Sequence, residues 1–171
     1  MVGVHAVNIL LNHNLSHFGI RPGELDTLPY ILTAPWLHGS WGHLMNNLAG
    51  LAIFSALSLI RGVKFFANAS FIIVVITGAL VWLFARSGAT HIGASGWIFG
   101  LWSLSIAIAW FQRSFLNVVI AVFVAVFYGG MIWGVLPSNP HVSFESHLFG
   151  AVAGVVAAYL MTRKRKKLTS P

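Results

Sequence analysis

The sequence predicts an all-α polytopic membrane protein: a single domain over residues 1–171, folded as one bundle of six membrane-spanning helices. Three observations predict it. Of 171 residues, 57% are hydrophobic and 8% charged, against about 25% charged in a soluble domain, and the mean hydropathy is +0.82. Apolar runs bounded by polar residues, Gly or Pro recur six times along the chain. Charge is also segregated: five of the ten basic residues sit in Arg163-Lys164-Arg165-Lys166-Lys167, directly after an apolar run, as on a cytoplasmic membrane flank. No cysteine is present, so disulfides and thiolate chemistry are excluded. The net charge of +7 does not follow the footprint of a nucleic-acid binder, so no nucleic-acid partner is expected.

The first span is expected near residues 2–18. It is short for a bilayer, which needs about 20 apolar residues, and it carries His5, Asn8, Asn12, His13, Asn14, Ser16 and His17. No basic stretch precedes it, so a cleavable signal peptide is not expected. The second span, 42–60, bears His43 and Asn47 in its first turns. The third, 65–85, runs between the bases Lys64 and Arg86. The fourth, 95–111, opens at Gly93-Ala94-Ser95-Gly96, and the fifth covers 115–133. The sixth, 147–162, opens at His147 and leads into a basic cytoplasmic tail, 163–171.

Orientation follows from charge. An even number of spans puts both termini on one side, and the basic tail makes that side cytoplasmic. Arg61, Lys64 and Arg113 then fall inside as well, whereas all three acids, Glu24, Asp26 and Glu145, fall outside with Arg21 and Arg86. Spans two, four and six therefore begin on the external side. Spans four and six, at 1.5 Å per residue, are shorter than a core of about 30 Å. If both reach the cytoplasmic face, Ser95 and His147 share one depth below the external surface, in a pocket open to outside water.

Small residues at four-residue spacing let membrane helices approach closely. Gly96 and Gly100 form such a seam on span four, and Gly150 and Gly154 on span six, each beginning within three residues of Ser95 or His147. A serine becomes nucleophilic when a neighbouring base takes its proton, and His147 is the best candidate base. Glu145, two residues away, does not share its helix face, so a Ser–His dyad is expected and not a triad. His43 and Asn47 project from one face four residues apart. Together with the Ser95 amide they can donate to an oxyanion. His38 is expected to pin the preceding loop. His5, His13, His17, His91 and His141 fit no catalytic spacing.

Each group also has a plainer structural reading: helix capping for Ser95, an interfacial histidine for His147, helix–helix hydrogen bonding for His43 and Asn47. Taken as a set, His38-x4-His43-x3-Asn47, Gly93-x-Ser95-Gly96 and His147-x2-Gly150-x3-Gly154 closely resemble the rhomboid intramembrane serine proteases, in a minimal six-span bacterial form. The resemblance implies a rhomboid-like bundle in the bacterial inner membrane and a serine endopeptidase that cuts transmembrane segments of membrane-protein substrates. It implies Ser95 as nucleophile, His147 as base, and His43, Asn47 and the Ser95 amide as oxyanion site. It also implies a partly embedded outer loop at 21–41 and a gate formed by span five with a cap at 134–146. No cofactor or metal is implied. Two positions depart from the pattern. Many members carry a tyrosine four residues after the serine that stacks on the histidine, and here it is Phe99. A Trp-Arg pair common in the first loop of some members is absent. Two rival readings keep the same residues: an inactive rhomboid-like membrane binding protein, and a metal-dependent membrane hydrolase using His38, His43, His91, His141 and His147, for which no H-E-x-x-H spacing exists.

Overall fold

A computed structural model describes residues 1–137 and 142–169, with side chains described through Arg163. His141 and the side chains of 164–171, which include most of the expected basic tail, lie outside the described residues. Helix α1 covers Val2–Leu10, α2 Trp41–Leu59, α3 Val63–Phe84, α4 Ser95–Phe111, α5 Phe115–Tyr128 and α6 Phe144–Thr169. A 3₁₀ segment, Gly129–Val135, continues α5.

The expected first span is corrected. α1 ends after nine residues, about 14 Å of helix. Asn12 and His13 then adopt left-handed φ values of 49° and 63°, which asparagine tolerates better than most residues. The Asn8 side chain helps to end the helix, accepting from the Leu15 amide at 2.9 Å and donating to Ser16 Oγ at 3.2 Å. Such side-chain bonds compete with the helical ladder. A second correction concerns α6, which begins at Phe144, so His147 lies in its first turn and not at its first residue. Ser143 makes that start possible, because its Oγ accepts from the Ser146 amide at 3.2 Å. α6 also continues as helix to Thr169, through much of the segment expected to be a tail.

By length and composition, Val63–Phe84, Phe115–Val135 and Phe144–Arg163 can each cross a membrane. α4 is a shorter apolar helix. α2 has 19 residues, but His43, Asn46 and Asn47 dilute its apolar character. The chain is thus a helical integral membrane bundle.

α4 is its centre, packed against α2, α3, α5 and α6, with Ile98, Phe99, Leu101, Leu104 and Ile108 buried. The closest approach is between α4 and α6. A Cβ on Gly150 would overlap the Gly96 carbonyl, and one on Gly154 would overlap the Gly100 carbonyl and Ser103 Oγ. Ser103 donates across this seam to the Ala151 carbonyl at 2.7 Å. Lipid offers no hydrophobic drive for helices to associate, so close backbone contact and such hydrogen bonds hold them together.

The loop before α2 is folded down onto the helix ends. Ile20 and His91 exchange backbone hydrogen bonds at 3.0 and 2.8 Å, and the Gly93 amide donates to the Ala34 carbonyl at 2.9 Å. Trp82 at the end of α3 donates to the Glu24 carbonyl at 2.9 Å. Arg21 pairs with Glu24 and Asp26. These contacts anchor the loop without the Trp-Arg pair that the sequence lacks.

Candidate active site

Ser95 is the first residue of α4 and is half-buried. Ala94 provides no side-chain cap, so the first amides of α4 remain available as donors. The turn into the helix passes through Gly93, whose φ of +111° favours glycine. A Cβ there would come within 2.6 Å of His43 Nε2 and 3.6 Å of Asn47 Nδ2. His43 and Asn47 therefore both face the backbone just ahead of Ser95. Ser40 sets this arrangement by capping α2, accepting from the His43 amide at 3.1 Å. Asn47 is 4% exposed, and its Nδ2 has no protein partner among the described residues.

His147 is held on two sides. Its ring stacks on Phe99, with centroids 4.2 Å apart and planes 8° from parallel, and its Nδ1 lies 2.8 Å from the Gly134 carbonyl oxygen. A carbonyl only accepts, so for the neutral ring Nδ1 carries the proton and Nε2 keeps its lone pair. Phe99 lies one helical turn after Ser95, on the same face of α4. The contacts of Gly96 with Ser146 and Gly150 bring the starts of α4 and α6 together beside it. No hydrogen bond joins Ser95 Oγ to His147 among the described residues, and such bonds often tighten only when substrate is bound.

The remaining candidates separate. Glu145 is buried and pairs with Arg86 at 3.5 Å, which leaves the Gly134 carbonyl, and no carboxylate, against His147. His38 is fully buried just before α2, with its ring edge-on to His43 at 5.0 Å. Burial, with the neighbouring His43 ring, lowers its pKa to about 4, so it is neutral at pH 7. His5 is buried against Trp41, ring centroids 4.8 Å apart. No group of three or more potential metal ligands converges among the described residues.

Sequence reasoning missed two groups. The Gly134 carbonyl has no side-chain signature. His91 fits no catalytic spacing, yet its Nδ1 lies 2.7 Å from Ser143 Oγ, the cap of α6. Ser143 in turn lies 2.7 Å from Ser146 Oγ. His91 thereby ties the loop that leads to Ser95 to the start of the helix that carries His147. Its own pKa is lowered, first by burial. The only legible signal was a histidine four residues before the serine.

Residues 26–164 match the family profile described as Rhomboid domain. An uncharacterized protein of Mycobacterium bovis is 37% identical over 172 residues, covering 96% of this chain and 72% of its own length. An uncharacterized protein of Mycobacterium leprae is 34% identical, covering 96% and 68%. The chloroplastic rhomboid-like protein 11 of Arabidopsis thaliana is 32% identical over 146 residues, covering 77% of this chain and 52% of its own. No solved structure matches the chain significantly.

Proposed function

This chain belongs to the rhomboid family, and on that premise we propose that it is an intramembrane serine endopeptidase, hydrolysing peptide bonds in or near transmembrane segments of other membrane proteins. In this reading α2 to α6 cross the bilayer, with the basic end of α6 in the cytoplasm and the Ser95 end facing outward; five spans put the short α1 on that outer side, in place of the cytoplasmic N-terminus expected from six. The observation that carries the proposal is the fixing of the His147 ring between Phe99 and the Gly134 carbonyl. A carbonyl partner favours the proton on Nδ1, and this supports Nε2 as the base.

His147 Nε2 takes the proton of Ser95 as Oγ attacks the scissile carbonyl. The oxyanion that forms accepts hydrogen bonds from His43, Asn47 Nδ2 and the Ser95 amide. His147 then returns its proton to the leaving amine. In the second half it takes a proton from water as that water attacks the acyl-enzyme, and Ser95 recovers its proton on collapse. A helical substrate hides its carbonyl in its own ladder, so segments with small or helix-breaking residues near the cut are favoured. An inactive binding protein would not require the His147 tautomer to be set.

The test is labelling of the purified, detergent-solubilised protein with a fluorophosphonate, with and without a chelator. Labelling at Ser95 that is indifferent to chelator and abolishes cleavage of a transmembrane reporter is expected. Absent labelling and absent turnover would favour the binding protein, whereas chelator-sensitive turnover without labelling would favour the metal hydrolase.

The Phe99–His147 stack makes a further prediction. Phe99→Tyr keeps the ring and is expected to hold kcat within a few-fold of wild type. Phe99→Ala removes one wall of the imidazole site and is expected to lose about tenfold or more, on the scale of positioning losses in catalysis. Comparing kcat for the two variants at matched thermal stability checks it. Equal turnover in the alanine variant and wild type would show that the ring does not position the base.

A further inference from the structure

At the opposite end of the bundle from Ser95, one α4 length or about 25 Å away, a cavity of about 350 Å³ opens between the ends of α2 and α4, the starts of α3 and α5, and Met161 and Thr162 of α6. Arg61, Phe65, Gln112, Ser114, Asn117 and Thr162 are among its walls. Arg61 is fixed there. Its guanidinium donates to Asn117 Oδ1 at 2.8 Å and to the Leu57 carbonyl at 3.4 Å, and lies 5.7 Å from the centroid of the Phe65 ring. Asn117 is itself buried and held, donating through Nδ2 to the Gln112 carbonyl at 2.7 Å.

The surroundings are basic. Lys64, Arg113 and Arg163 each adjoin a residue of the cavity wall in sequence, and the rest of the basic run follows on α6. All three acidic side chains of the chain belong to the other end: Glu24 and Asp26 pair with Arg21, and Glu145 pairs with Arg86. A positive, polar cavity at a membrane boundary, walled in part by an aromatic ring and open beside apolar helices, fits a ligand with an anionic head and an apolar tail.

We propose that this cavity is a binding site for the phosphodiester of an anionic phospholipid, with Arg61 as its charged contact and Asn117 as the residue that aims Arg61. The planar guanidinium matches phosphate oxygens better than a lysine ammonium does. The basic surroundings disfavour the cationic choline of a zwitterionic lipid. The site is independent of peptide-bond hydrolysis.

Native mass spectrometry of the whole chain, released from vesicles of equimolar phosphatidylglycerol and phosphatidylcholine, tests the proposal by counting the lipids retained. Wild type is expected to retain phosphatidylglycerol preferentially. Arg61→Gln is expected to lower that preference about tenfold, the loss of a charge-assisted hydrogen bond, and Arg61→Lys by less. Thr162→Trp fills the cavity without removing a tertiary hydrogen bond, since Thr162 Oγ1 bonds within α6, and is expected to lose the preference too. It decides the matter should Arg61→Gln fail to fold. Undiminished preference in folded Thr162→Trp overturns the site. So does a loss seen only when Lys166 and Lys167 are changed to glutamine, which would mean attraction to the helix end alone. Complete displacement by millimolar inorganic phosphate would overturn the lipid assignment in favour of a free anion.

Discussion

Ser95→Ala and His147→Ala are each expected to abolish cleavage of a transmembrane reporter, and the double variant to be no worse than either alone. In the proposed mechanism the nucleophile and base act as one unit, so losing either forfeits their joint contribution, on the order of 10⁴–10⁶ in kcat by comparison with other serine hydrolases. Stability should separate the two. Ser95 follows the N-cap residue Ala94 and its hydroxyl makes no hydrogen bond among the described residues, so it contributes little to the fold and Ser95→Ala should melt close to wild type. His147→Ala removes a ring stacked on Phe99 and a hydrogen bond to Gly134, so a measurable loss of stability is expected. Fluorophosphonate labelling should vanish in both variants. Turnover by purified Ser95→Ala at more than a trace of the wild-type rate would exclude the serine as nucleophile.

Asn47→Ala is expected to lower kcat by about 10², the low end of the loss for one oxyanion donor where others remain, with little change in KM. In the proposed mechanism the interaction is made to charge that exists only in the transition state, and such a loss falls on kcat. The burial of Asn47 makes the test sharp. Its Nδ2 is buried and has no protein acceptor among the described residues, so alanine removes no protein–protein hydrogen bond of that group and should not destabilise the fold through one. Ser95 should still react measurably with a fluorophosphonate, since nucleophile and base remain. Full kcat with a clear drop in melting temperature would instead identify Asn47 as a helix–helix hydrogen bond.

Much of this site was legible because it depends on periodicity and on helix ends. His43 and Asn47 share a face because they are four residues apart. Ser95 opens a helix because Gly93 supplies the turn before an apolar run. The glycines of α4 and α6 announce a close seam by their spacing, and the seam brings Gly96 against Gly150. Helix ends were less legible. Asn8, Asn12 and His13 stop α1 through side-chain hydrogen bonds and left-handed backbone, which hydrophobic patterning does not encode. The start of α6 depends on Ser143, whose capping bond moved His147 into the first turn.

The sequence by itself determined that the protein is a membrane bundle, that its charges separate to opposite ends, and which side chains stand at the helix starts on one of those ends. These follow from composition and from the period of 3.6, which each segment carries locally. Tertiary structure alone decided which group holds the His147 ring, what His91 does, and where Arg61 points. A backbone carbonyl such as that of Gly134 is present at every residue, so nothing in the sequence singles out the one that folding brings within 2.8 Å of His147. The His91–Ser143 and Arg61–Asn117 pairs span 52 and 56 residues of chain, and only the packing of helices distant in sequence fixes such contacts.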